Sequence, residues 1–194
     1  MSGTADGRLS VRLRQPTDVV TSGLHPLGLD ANEDAFLYVP ANYRPECPAP
    51  FVLSLHGAGG AAASGLYPLR DLADEFGLIL LSPASRGRTW DVILGGFGPD
   101  IAFIDRALAV TLSRCAINPM HVAVAGFSDG ASYALSIGIT NGDLFPSVMA
   151  FSPGFAAPGG QSGVPRFFVS HGSQDEVLPI DRTSRRVVPQ LRDA

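Results

Sequence analysis

The segment Gly126-Phe127-Ser128-Asp129-Gly130 constrains this chain more than any other. An apolar run, His121-Val122-Ala123-Val124-Ala125, leads directly into it, and a helical pattern opening Ala131-Ser132-Tyr133-Ala134-Leu135 follows. A strand that becomes a helix within a few residues needs a sharp turn, and crowding there leaves room only for glycine two residues either side of Ser128. Such a turn lifts the Ser128 hydroxyl clear of the sheet and aims the N-terminus of the next helix at it. The same five residues also fit an ordinary glycine-rich turn with a helix-capping serine, so the surrounding pattern has to decide between the two.

That pattern alternates strands with helices. Residues 9–14 alternate apolar and charged, as a half-exposed strand would, and Ala35-Phe36-Leu37-Tyr38-Val39 reads as a second strand stopped by Pro40. After a turn-rich stretch from Asn42 to Pro50, Phe51-Val52-Leu53-Ser54-Leu55 suits a central strand. Residues 64–76 fit an amphipathic helix, with Leu66, Leu69, Leu72, Ala73 and Phe76 on one side and Gly77 ending it. Leu78-Ile79-Leu80-Leu81 is the next buried strand, and Ile101, Ile104, Leu108 and Leu112 mark a helix over 100–114. Ser147–Phe151 and Arg166–Ser170 are two more strands, and a last helix starts near Asp181. The expected architecture is α/β, a mostly parallel sheet with helices on both faces. Only the short loop Pro153–Pro165 bridges the last two strands, which predicts an open site with no lid.

At 194 residues, 45% hydrophobic and 16% charged, the chain is long enough for one domain with a good core and too short for two. The net charge of −4 disfavours nucleic acid and offers no basic patch to a membrane. All 14 cationic residues are arginine, a compositional bias. Residues 1–8 are polar and lack a signal-peptide core, and no run approaches the ~18 apolar residues of a membrane span, so a cytoplasmic location is expected. Cys47 and Cys115 are expected to be structural thiols, since neither has a metal-ligand partner at suitable spacing.

An acyl-transfer site needs a nucleophile, a base, an orienting acid and an oxyanion hole. Ser128 is the candidate nucleophile. His56-Gly57-Ala58-Gly59-Gly60 follows the central strand, and its small residues allow backbone N–H groups to face a cleft. The expected oxyanion donors are the N–H groups of Ala58, with Gly59 as its alternative, and Asp129; Gly57 and Gly59 let a substrate approach the loop. The candidate acid is Asp175, just beyond a strand end, with Glu176 as the neighbouring alternative. No metal or organic cofactor is implied.

The base is the obstacle. No histidine follows Asp175, and the four present are His25, His56, His121 and His171. His56 and His171 end strands and read as loop-orienting, His121 begins the elbow strand at the far end of the sheet, and His25 sits in a loop. His171 is the least implausible substitute. Without an imidazole, a serine hydroxyl is a poor nucleophile near neutral pH.

Four segments together carry a more specific likeness: Leu55-His56-Gly57-Ala58-Gly59-Gly60, Ser85-Arg86-Gly87-Arg88-Thr89-Trp90-Asp91, Gly126-Phe127-Ser128-Asp129-Gly130, and His171-Gly172-Ser173-Gln174-Asp175-Glu176-Val177-Leu178-Pro179. From about Ala35 onward the chain resembles the α/β-hydrolase serine esterases of the phospholipase/carboxylesterase group, near polyhydroxybutyrate-depolymerase-like and feruloyl-esterase-like members. The resemblance implies an α/β-hydrolase fold and hydrolysis of small, accessible acyl or aryl esters. Ser128 would be the nucleophile, Asp175 the acid, and Ala58 and Asp129 the oxyanion donors. Trp90 and Phe127 are candidates for the cleft wall or equally for the core. Thioesterase or serine peptidase activity shares this chemistry, and an inactive fold kept for binding is the alternative from another class.

Members of the group continue to a further strand and a Gly-His turn bearing the base, whereas this chain ends at Leu191-Arg192-Asp193-Ala194. It therefore reads as C-terminally truncated, with its last β–α unit missing. The strand at 166–170 would then be a sheet edge, and either a homodimer through that edge or instability is expected.

Overall fold

The computed structural model describes residues 6–32 and 34–192. The polar reading of residues 1–5, and the terminal Asp193-Ala194, lie outside the described residues.

Seven strands form one sheet in the order β1-β2-β4-β3-β5-β6-β7. They are β1 (Gly23–Pro26), β2 (Ala35–Val39), β3 (Ala49–Leu55), β4 (Ile79–Pro83), β5 (Ile117–Phe127), β6 (Ser147–Phe151) and β7 (Arg166–Ser170). The pairings β1–β2 and β2–β4 are antiparallel, and all others are parallel. The helices are α1 (Ala62–Leu66), α2 (Arg70–Phe76), α3 (Pro99–Arg114), α4 (Asp129–Thr140) and α5 (Ser184–Arg192).

Period-two alternation sorts side chains between the two faces. Phe51, Leu53, Val122, Val124, Val148 and Ala150 enter the larger core with residues of α3, α4 and α5. Val52, Leu80, Ala123 and Ala125 pack on the opposite face with Leu66, Leu69 and Ala73 of the α1–α2 region. Helices therefore cover both faces, as expected. The α1–α2 cover stops short of the far edge: β7 pairs with β6 alone among the described residues, and Phe168 there is 56% exposed. No helix interrupts residues 152–165 between β6 and β7.

Three local expectations need correction. Residues 9–14 form no strand. Their backbone is held by side chains instead: Leu9 N–H donates to Asn141 Oδ1, and Ser10 and Val11 N–H donate to Asp105 Oδ1. The helix expected over 64–76 is two short helices broken at Tyr67-Pro68-Leu69. Pro68 has no N–H to continue the helical hydrogen-bond ladder, and the backbone leaves helical geometry at Leu69 with φ −124° and ψ −2°. The break rotates α2, so that Ala73 is buried while Leu72 and Phe76 face outward. His25 lies in β1, not in a loop.

Candidate active site

Ser128 stands between β5 and α4 with φ 55° and ψ −119°, a conformation that L-residues other than glycine rarely adopt. Glycine is required on both sides. A Cβ on Gly126 would lie 2.1 Å from the Gly130 carbonyl oxygen, and one on Gly130 would lie 2.3 Å from the Leu55 carbonyl oxygen. The N-terminus of α4 is thus pressed against the end of β3. Ser128 N–H donates to Phe151 O at 2.9 Å, tying the elbow to β6.

That contact brings the loop after β3 to Ser128. A Cβ on Gly57 would lie 3.5 Å from the Ser128 Cβ. Gly59 N–H is taken by Arg88 O at 2.9 Å and Gly60 N–H by Gly57 O at 3.0 Å, while among the described residues nothing accepts from the Ala58 N–H. Asp129 N–H is the first of α4 and has no carbonyl one turn earlier in the helix to bond. Of the alternatives Ala58 and Gly59, the loop leaves Ala58 unengaged. Phe127 is 52% exposed beside Gly57, at the mouth of the site. A cleft of about 470 Å³ opens beside the same loop, lined by Asn32, Asp34, Phe36, Gly60, Ala61 and Ser85 among others, and Ser128 is not on its wall.

Trp90 does not reach the cleft. It is fully buried, its indole N–H donates to His56 O at 2.8 Å, and its ring stacks on Tyr133 with centroids 5.0 Å apart. An indole with a satisfied N–H fits a core as well as a cleft, and its sequence surroundings do not separate the two.

Asp175 lies in the loop after β7. Its Oδ1 accepts the N–H groups of Val177 at 3.0 Å and Leu178 at 2.9 Å. The Leu178 N–H above all, aided by Val177, His171 and Ser152, holds this carboxyl below the usual carboxylate range against partial desolvation. Glu176 is exposed. Ser152, at the end of β6, is a residue the sequence reading missed. It and Ser128 are the non-glycine residues with positive φ among those described, and its N–H donates to Ser170 O at 2.7 Å. The signal lay in Ser-Pro-Gly immediately after a strand, a turn-forming tripeptide at the same sheet end as Ser128.

No hydrogen bond joins Ser128 to any of the four histidines among the described residues. His56 is buried, donates from Nδ1 to Gly57 O at 2.8 Å and accepts at Nε2 from Ser85 N–H at 3.1 Å. Burial pushes its pKa down, so it stays neutral. The His171 side chain is also buried, with Nε2 2.7 Å from Leu178 O and 3.3 Å from Asp175 Oδ2, and Nδ1 2.6 Å from Ser184 Oγ. A carbonyl can only accept, so Nε2 carries a proton, while Nδ1 is hydrogen-bonded to the Ser184 hydroxyl. His171 pins the Asp175 loop to the start of α5. His121 is exposed within β5, and His25 bonds Thr21 O from β1. Among the described residues no three His, Cys, Asp or Glu side chains gather to hold a metal ion, and no helix is long and apolar enough to cross a membrane.

No protein-family model matches this chain. An acetylxylan esterase of Coprinopsis cinerea is 31% identical over 126 residues, which make up 59% of this chain and 33% of that protein. Among solved structures, a thermostable esterase superposes with a TM-score of 0.66 at 17% identity, over 89% of this chain and 51% of that one. The acetyl xylan esterase of Aspergillus awamori superposes with a TM-score of 0.53 at 25% identity, over 74% of this chain and 53% of that one. The chain spans about a third of the length of the curated relative and about half of each of these structures. The fold is the α/β-hydrolase fold.

Proposed function

We propose that the chain forms a site for hydrolysing small, accessible carboxylic esters, acetyl esters foremost, through an acyl-enzyme on Ser128. The observation that carries this reading is Ser128 itself, held at φ 55° at the start of α4 with Gly57 of the loop after β3 beside its Cβ. In the first step Ser128 Oγ gives up its proton to solvent and bonds to the acyl carbon, and the carbonyl π electrons move onto oxygen. The N–H groups of Ala58 and Asp129 receive that oxyanion. Collapse expels the alcohol, which takes its proton from solvent, and water releases the acid in a second cycle. The acetylxylan esterases of Coprinopsis cinerea and Aspergillus awamori support a short acyl group, and the stretch without a helix between β6 and β7 supports an accessible one. Asp175, held ionised by backbone N–H groups, is the carboxylate proposed to orient a base.

The engagement of His25, His56 and His171, with His121 exposed in the first half of β5, favours a second reading, a hydrolase-fold protein that binds esters without turning them over. Hydrolysis of p-nitrophenyl acetate and butyrate, beside Ser128→Ala, separates the two. Turnover of about 1–1000 per second, lost in the variant, supports the enzyme. Rates equal to those of the variant overturn it. The described residues are further read as one domain, and the free β7 edge with exposed Phe168 supports a homodimer through that edge.

A further inference from the structure

The segment from Ser85 to Asp91 touches both sides of the oxyanion site. Arg88 O takes the Gly59 N–H, and the Trp90 indole bonds His56 O at 2.8 Å. The segment is itself rigidly held, since the buried Asp100 carboxylate accepts Arg86 N–H at 2.5 Å and Asp91 N–H at 2.7 Å. From this fixed loop the Thr89 hydroxyl donates to Asp129 Oδ2 at 2.6 Å.

The bond matters because of where Asp129 stands. A carboxylate in the first turn of a helix is drawn to the unpartnered N–H groups of that turn. In α4 those groups include the donor assigned to the oxyanion. Left free, the Asp129 carboxylate is an internal anion competing for the same site. We propose that Thr89 is a positioning residue for the oxyanion hole, holding the Asp129 carboxylate against the Ser85–Asp91 loop so that the α4 N-terminus stays open to a substrate oxyanion. This rests on the reading of Ser128 as nucleophile.

Phenylboronic acid tests it without requiring turnover, the serine proton being released to solvent as the adduct forms. It adds to a serine hydroxyl as a tetrahedral boron anion, seen by boron NMR, and its dissociation constant reports the oxyanion site. Thr89→Val should weaken binding about 10-fold, a fraction of the 10²–10³ that loss of a whole donor costs. Thr89→Ser should stay within about 2-fold of wild type, because the hydroxyl returns. Removing the competing carboxylate in the double variant Thr89→Val/Asp129→Ala should recover at least half of the lost affinity. Wild-type binding by Thr89→Val, or a double variant as weak as Thr89→Val, overturns the positioning role and leaves the Ser128 reading intact. No tetrahedral boron on the wild type, or its persistence in Ser128→Ala, overturns the Ser128 reading and the positioning role with it.

Discussion

Gly126 and Gly130 approach so closely that a Cβ on the first would stand 2.1 Å from the carbonyl oxygen of the second. The obstacle is backbone, with no flexible side chain to yield. Gly126→Ala should therefore cost at least about 3 kcal/mol, at the upper end of overpacking effects, or prevent folding. Gly96→Ala, where a Cβ meets open space, should stay within about 0.5 kcal/mol. Urea unfolding of the two variants checks this, and equal midpoints would refute the close approach at the elbow.

The elbow was legible because it is local: strand, glycine-flanked serine and helix follow one another within the chain. The strands at 147–151 and 166–170 and the helix over 100–114 were legible for the same reason, each having an unmixed period. Residues 9–14 were not, because their alternation mimics a strand while their amide partners, Asp105 and Asn141, lie about a hundred residues away. Trp90 and Thr89 show the same limit at the site. One faces the core and the other faces Asp129, and only tertiary packing decides which. The engagement of His171 was equally hidden, since Ser184 and Leu178 meet it only once α5 docks.

His171 gives the second prediction. Its ring satisfies Leu178 O and the Ser184 hydroxyl while lying against Asp175. His171→Ala leaves these groups unpaired around a cavity and should cost about 2–4 kcal/mol. Hydrogen exchange at the Val177 and Leu178 amides should quicken, because both donate to the Asp175 carboxylate that His171 steadies. Were His171 the missing base, the variant would lose turnover while keeping wild-type stability and exchange, and that pattern would refute the structural role.

The β7 edge gives the third. With β6 its strand partner and Phe168 half-exposed, a second copy could extend the sheet. Light scattering is expected to give twice the 20.3 kDa chain mass. Phe168→Lys should return the monomer, since a charge on an edge strand opposes further pairing. A wild type that is monomeric at tens of micromolar would end the proposal.

Asp100 gives a pH dependence whose sign is fixed by its environment. The side chain is 1% exposed, and burial pushes its carboxyl up to about 6, against the N–H groups of Arg86 and Asp91 that favour the ionised form. A raised carboxyl pKa means that the native state holds the proton over a range where the unfolded chain has already released it. Stability from this group therefore falls as pH rises from about 4 to about 6, by at most about 3 kcal/mol, and stays level above. Asp34, Asp143 and Asp175, each held below its ordinary value, act in the opposite direction at lower pH. Asp100→Asn isolates the effect. Its amide does not titrate, and it presents one oxygen and one NH₂ to backbone donors at 2.5 and 2.7 Å, so the variant should be destabilised by about 1–3 kcal/mol at pH 4. Between pH 4 and 7 the gap should narrow, because only the wild type loses stability from ionising a buried acid. Urea midpoints that run parallel across this range would show that Asp100 titrates as an ordinary carboxylate.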